Sequence, residues 1–199
     1  RRLEPAERDE MKAFTRNADA LTPLLKLFSS ESCNQIAYDA LQIHGGTGYM
    51  KDFPIERLTR DARITSIYEG TSQLQVVAAM RFVGNGIYLK MMQDFEAQEV
   101  KAEFEFLKNI LVKMTDQYSK TVDRVQALND TEYFDFHSRR LVEMAGNVII
   151  GYLLLNDANR NNKFSKSAEI FIRLGRSENI QKVSFINNTN LKDLSGYKL

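Results

Sequence analysis

Apolar residues recur at helical spacings of three, four and seven along most of this chain, and little interrupts them. The 199 residues include only three prolines and ten glycines. No run alternates apolar and polar residues long enough to predict a strand. The sequence therefore predicts an all-α protein. Hydrophobic residues make up 43% of it, which fits a packed fold and not a disordered chain. The length allows one sizeable core or two small ones.

The spacing predicts a short amphipathic helix over 6–20, with Met11, Phe14 and Ala18 on one side. Thr22-Pro23 reads as a fresh helix start, an N-cap before proline at the first helical position. That second helix carries Leu24, Leu27, Cys33, Ile36 and Leu41 and should stop at Gly45-Gly46. After a glycine-bearing loop, Pro54 opens a short helix ending near Ile64. A further helix starts near Ser72, with Leu74, Val77, Ala78 and Phe82 as its apolar face. Gly84-Asn85-Gly86 interrupts the pattern and predicts a boundary, with residues 1–86 as one domain and 87–199 as another.

Beyond the boundary lie three long stripes. The first spans 97–128 (Phe104, Leu107, Leu111, Met114, Tyr118, Val125) and the second 131–158 (Tyr133, Leu141, Met144, Val148, Tyr152). The third spans 164–187, with Ala168, Phe171, Leu174, Ile180 and Val183, after a linker from Asn156 to Lys163. Together with residues 87–96 they predict an antiparallel helical bundle. The last dozen residues read as frayed.

Several function classes are disfavoured. A net charge of +1 gives no strong pull toward nucleic acid or an anionic membrane. No stretch of roughly 18 apolar residues lacks a charge, so no membrane span is expected. Arg1-Arg2-Leu3-Glu4-Pro5 is no signal region, and a cytoplasmic location is the default expectation. The chain does not begin with methionine, so it is expected to be a piece of something longer. Cys33, the only cysteine, excludes an internal disulfide and reads as a small buried side chain. His44 and His137 are the only histidines, and nothing pairs them, so no metal site is expected.

Two segments carry chemistry. In Ile67-Tyr68-Glu69-Gly70-Thr71-Ser72-Gln73-Leu74-Gln75 a carboxylate and a glycine precede two hydroxyls and an apolar helix. This places Glu69 on an irregular turn, with Thr71 or Ser72 as N-cap. A carboxylate on a turn held by a helix is well placed to take a proton from a substrate. In Gln42-Ile43-His44-Gly45-Gly46-Thr47-Gly48-Tyr49, three glycines in four residues let the backbone approach a bulky ligand. Between them, Arg57, Arg60, Asp61 and Arg63 are expected to form ion pairs that fix the short helix.

The order of these motifs resembles the C-terminal α-helical domain of the acyl-CoA dehydrogenase family. Gln42-Ile43-His44-Gly45-Gly46 is similar to the family's flavin loop, Phe53 to Ile64 to its connecting helix, and Ile67 to Gln75 to its catalytic turn. The region after residue 97 resembles, by length and helix pattern alone, the extra helical domain of some large bacterial members. The implied fold is part of a four-helix-bundle domain, truncated at its start, followed by a second antiparallel bundle.

The resemblance implies oxidation of acyl-CoA to trans-2-enoyl-CoA, with Glu69 removing the α-proton and FAD taking the hydride. It implies that Gly70 lies against the substrate thioester and that Thr71, Ser72 and Gln73 contact FAD. It also implies that Gln42, Gly45 and Gly46 touch the FAD of the neighbouring subunit in a homodimer. Glu69, shielded from water beside flavin and acyl chain, would titrate above the ordinary glutamate value of about 4.3. An electron-transfer flavoprotein is the expected acceptor. The family's N-terminal helical domain and middle β-domain are not in this sequence, so the chain alone is expected to be inactive. An acyl-CoA oxidase, or a helical assembly module without catalysis, are the alternatives.

Overall fold

The computed structural model describes residues 4–194 and 196. They form helices and short 3-10 turns, with no strand among the described residues. Two compact units meet in sequence between Ala79 and Met80.

In the first unit, α1 (Pro5–Gly48) begins with a reciprocal pair of hydrogen bonds between Glu4 and Glu7. It does not restart at Thr22-Pro23. Thr22 Oγ1 donates to the Ala18 carbonyl at 2.8 Å instead of capping, and Pro23 sits inside the helix. Proline removes one N–H from the ladder. Burial of Ala20, Pro23, Leu24 and Leu27 carries the helix through, because packing outweighs local propensity. Met11 and Phe14 are exposed, and so are Ile36 and Cys33, against the expectation of a buried thiol. The physical reason is coverage: α2 (Pro54–Ile64) is the main helix packed on α1 within this unit. The helical path breaks at Gly45, with φ 63° and ψ −155°, a region essentially restricted to glycine.

α3 (Ser72–Gly84) follows the predicted span but not the predicted face. Val76, Ala79, Met80, Phe82 and Val83 are buried, whereas Leu74 and Val77 are exposed. This helix is apolar nearly all round, so its sequence offers several equivalent stripes. Packing, not the pattern, selects among them.

The second unit is a bundle of α4 (Ile87–Glu96), α5 (Glu105–Ala127), α6 (Thr131–Arg160) and α7 (Ser165–Asn188), closed by the short α8 (Leu191–Leu194). α6 is central and packs on α4, α5 and α7. By length and composition it could cross a membrane, but 67% of its most apolar stretch is buried in this bundle. The stripes predicted for α5 and α6, from Phe104 to Val125 and from Tyr133 to Tyr152, are all buried. α5 starts eight residues later than its periodicity allows. The Asn159 side chain accepts from the Lys101 N–H at 2.9 Å, and Lys108 reaches the Gln98 carbonyl, so 98–101 is tied down outside any helix. α6 continues to Arg160, through the first part of the expected Asn156–Lys163 linker.

α7 departs most from its expected stripe, of which Ala168 alone is fully buried and Phe171 and Val183 are half-buried. Ala168, Ile172, Gly175, Asn179 and Ile186 face the core, while Leu174 and Ile180 are exposed. Asn147 of α6 donates to Asn179 Oδ1 and to Glu178 Oε2, each at 3.0 Å, and Asn179 donates to the Met144 carbonyl. Gly175 makes room: a Cβ there would lie 3.3 Å from the Asn147 Cβ. A glycine and a satisfied asparagine thus occupy positions that hydropathy assigns to leucine and isoleucine. The end of the chain is not frayed as expected up to residue 194. Thr189 and Leu194 are buried, and the Tyr133 hydroxyl lies 2.9 Å from the Thr189 carbonyl. Residues 195 and 197–199 of that predicted frayed segment lie outside the described residues.

Candidate functional site

The turn carrying Glu69 is built from its two ends. At the end of α2, Thr65 is tied to α1: its carbonyl accepts from Lys26 Nζ at 2.8 Å, and its hydroxyl accepts from Asn34 Nδ2 at 3.3 Å. The Lys26 ammonium also lies 4.1 Å from the centre of the Tyr68 ring. Arg63 donates to Ser66 Oγ at 2.6 Å, and the Ser72 N–H closes the loop onto the Ser66 carbonyl at 3.2 Å. Thr71 is the cap of α3, its hydroxyl accepting from the Leu74 N–H at 3.3 Å. Of the ion pairs expected on α2, Arg57 pairs with Asp61 at 3.3 Å and Arg60 with Glu56 at 3.2 Å, whereas Arg63 donates to the Ser66 hydroxyl instead.

Between these anchors the backbone turns left-handed at two successive residues, Glu69 with φ 50° and Gly70 with φ 94°. A non-glycine residue there is strained by about 1–3 kcal/mol, which the surrounding bonds must hold. Gly70 suits the turn because φ 94° is a conformation that side-chain-bearing residues rarely adopt, and a Cβ would also displace the Gln75 amide that donates to the Gly70 carbonyl. Glu69 is exposed at the apex. The shielding from water that the resemblance implies for it is therefore not supplied by this chain.

Thr71 and Gln73 are exposed beside it, and Ser72 Oγ is buried without a hydrogen-bond partner. An unsatisfied hydroxyl and a helix N-terminus together suit an anionic or hydrogen-bonding ligand such as the FAD that the resemblance implies. Gln42, Gly45 and Gly46 are exposed at the far end of α1, where a Cβ at either glycine would meet open space. His44 is exposed, its Nδ1 lying 2.8 Å from the Ala40 carbonyl. The structure does not bring the glycine segment to Glu69. Thr65 sits level with Lys26 and Asn34, and Thr59 with Ala37, so α2 runs back along α1. The two segments are thus roughly 25 Å apart along α1, at 1.5 Å per residue.

Sequence reasoning missed the residues that hold the turn: Lys26, Asn34, Thr65, Ser66 and Gln75. Thr65 and its partners on α1 are more than thirty residues apart, so no local pattern announces them. Among the described residues, no group of three or more His, Cys, Asp or Glu side chains could hold a metal.

The family model described as "Acyl-CoA dehydrogenase C terminal" matches residues 84–194, and "Acyl-CoA dehydrogenase, C-terminal domain" matches residues 6–83. A solved acyl-CoA dehydrogenase family protein from Porphyromonas gingivalis is 33% identical, covers 57% of this chain and 98% of its own, and superposes with a TM-score of 0.55. The chain belongs to the acyl-CoA dehydrogenase family. An acyl-CoA dehydrogenase complexed with FAD from Bacillus anthracis shares the fold, with a TM-score of 0.63 at 21% identity, over 82% of this chain and 32% of its own. A curated relative, "3-(aryl)acrylate reductase" of Clostridium sporogenes, is 59% identical over 58 residues. That match covers 29% of this chain and 15% of the relative, so the chain spans a small part of such proteins.

Proposed function

We propose that this chain is the base-carrying C-terminal portion of an FAD-dependent acyl-CoA dehydrogenase. The observation that supports it is the left-handed Glu69-Gly70 turn, anchored at Thr65 and capped by Thr71, with its carboxylate free at the apex. In the proposed step Glu69 takes the proton from the carbon beside the thioester as the α–β double bond forms. Gly70, without a Cβ, lets its backbone lie close to the thioester. FAD, when bound, supplies the acceptor for the hydride leaving the β-carbon. Thr71, Ser72 and Gln73 are the residues proposed to hold its near end. The proton transfer needs a carboxylate that water does not solvate fully. The remaining domains of the whole enzyme would provide that enclosure, and the isolated chain is proposed to be inactive.

Gln42, Gly45 and Gly46 lie too far from Glu69 along α1 to serve one flavin within one chain. That separation favours a flavin shared across a homodimer, with the glycine segment meeting the partner's cofactor. An electron-transfer flavoprotein is the proposed acceptor. Reduction of an enoyl-CoA is the same reaction reversed, with Glu69 returning the proton; the acrylate reductase likeness makes that direction worth assaying.

The test is Glu69→Gln in the full-length enzyme. It should abolish α-proton exchange and flavin reduction by acyl-CoA while leaving flavin content unchanged. Normal turnover would remove Glu69 from the role of base.

A further inference from the structure

A cation-lined groove runs between α5 and α7. Both helices are antiparallel to α6, so they run parallel to one another, and Arg124 donates to the Asn187 carbonyl at 3.2 Å, a separation of 63 residues in sequence. The same offset sets Arg176 level with Lys113, on the opposite wall. The groove encloses about 530 Å³ and is lined by Lys113, Lys120, Arg124 and Arg176, with Asp116 as its one carboxylate. Lys120 is neutralised by Asp116 at 2.6 Å. Lys113 and Arg176 are exposed and have no hydrogen-bond or ion-pair partner among the described residues. Met114, Ile180 and Val183 supply apolar surface beside them.

Partnerless surface lysines are common. Two unmatched cations level across one concave groove are different, because each raises the other's energy unless an anion lies between them. A phosphate group suits both, offering three acceptor oxygens to an ammonium on one side and a guanidinium on the other. Arg124 stands about 16 Å further along α5 than Lys113, at 1.5 Å per residue, with Ile180 and Val183 between the two levels. That span accommodates an organic body and a second anionic group. Gln117, Thr121 and Asn187 also line the groove, which favours a soluble ligand over a lipid surface. We propose that the groove between α5 and α7 binds a soluble organic phosphate, clamped by Lys113 and Arg176 and met at its far end by Arg124. This does not depend on the role of Glu69.

The probe is adenosine diphosphate, titrated calorimetrically into the chain at low ionic strength, where such attraction is least screened. Saturable one-site binding is expected. It should weaken at least about tenfold in Lys113→Glu/Arg176→Glu and stay unchanged in Lys101→Glu, outside the groove. Circular dichroism reports whether the double variant folds; Lys113→Gln and Arg176→Gln serve if it does not, each weakening binding measurably. Absence of saturation overturns the proposal, as does equal affinity in the groove variants. Binding to phosphatidylglycerol vesicles without binding of the nucleotide overturns it too and points to a membrane surface instead.

Discussion

His137 is fully buried on α6, and neither ring nitrogen has a hydrogen-bond partner. Its ring packs edge-on against Tyr133 at 4.5 Å, Phe136 at 5.0 Å and Phe185 at 6.1 Å between centroids. Burial first, and the nearby Arg140 guanidinium second, pull its pKa from 6.5 down to about 4. The neutral imidazole is therefore the folded form. Between these two values the unfolded chain binds a proton that the folded chain refuses, so stability is full above pH 6.5 and falls as pH drops toward 4. Linkage between these values makes the loss from pH 7 to pH 5 about 2 kcal/mol, with a ceiling of about 3 kcal/mol in stronger acid. The assay is urea unfolding at pH 7 and pH 5, followed by the near-ultraviolet dichroism of the buried tyrosines of this bundle. His137→Phe keeps an aromatic ring in the site and removes the titration, so its pH dependence should be smaller by that amount. Equal pH dependence in both proteins, or a measured His137 pKa near 6.5, would refute the reasoning.

Three further outcomes follow from named contacts. Asn179→Ala removes two buried hydrogen bonds, from the Asn147 amide and to the Met144 carbonyl, and leaves a small void, and should cost about 1–3 kcal/mol in denaturant unfolding. Gly45→Ala meets no steric obstacle, so its cost of about 1–3 kcal/mol is purely backbone strain, read as faster hydrogen exchange around residues 45–48. Thr71→Ala removes the cap of α3, about 1 kcal/mol, and should speed exchange of the Leu74 amide while Gln75 is less affected.

The candidate site was legible in parts. The Glu69 turn, the Thr71 cap and the Pro54–Ile64 helix are local: a carboxylate, a glycine, hydroxyls and a proline in a fixed order determine them within a few residues. The exposure of Glu69 was not legible, because it depends on what covers the turn and not on what forms it. The bracing by Lys26 and Asn34 was hidden for a related reason, since it spans more than thirty residues.

By itself, then, the sequence determined that this protein is helical, where most helices stop, and which short segments hold glycine and carboxylate in unusual backbone. Periodicity and capping are properties of neighbours in the chain, and they act before any packing exists. Tertiary structure decided the rotation of α3 and α7, the passage of α1 through Pro23, and the ordering of Thr189 to Leu194. Those outcomes hang on partners distant in sequence. Leu174, expected in the core, is exposed while Asn179 is buried, because a satisfied amide facing Asn147 fits this core and a leucine on an uncovered face costs little.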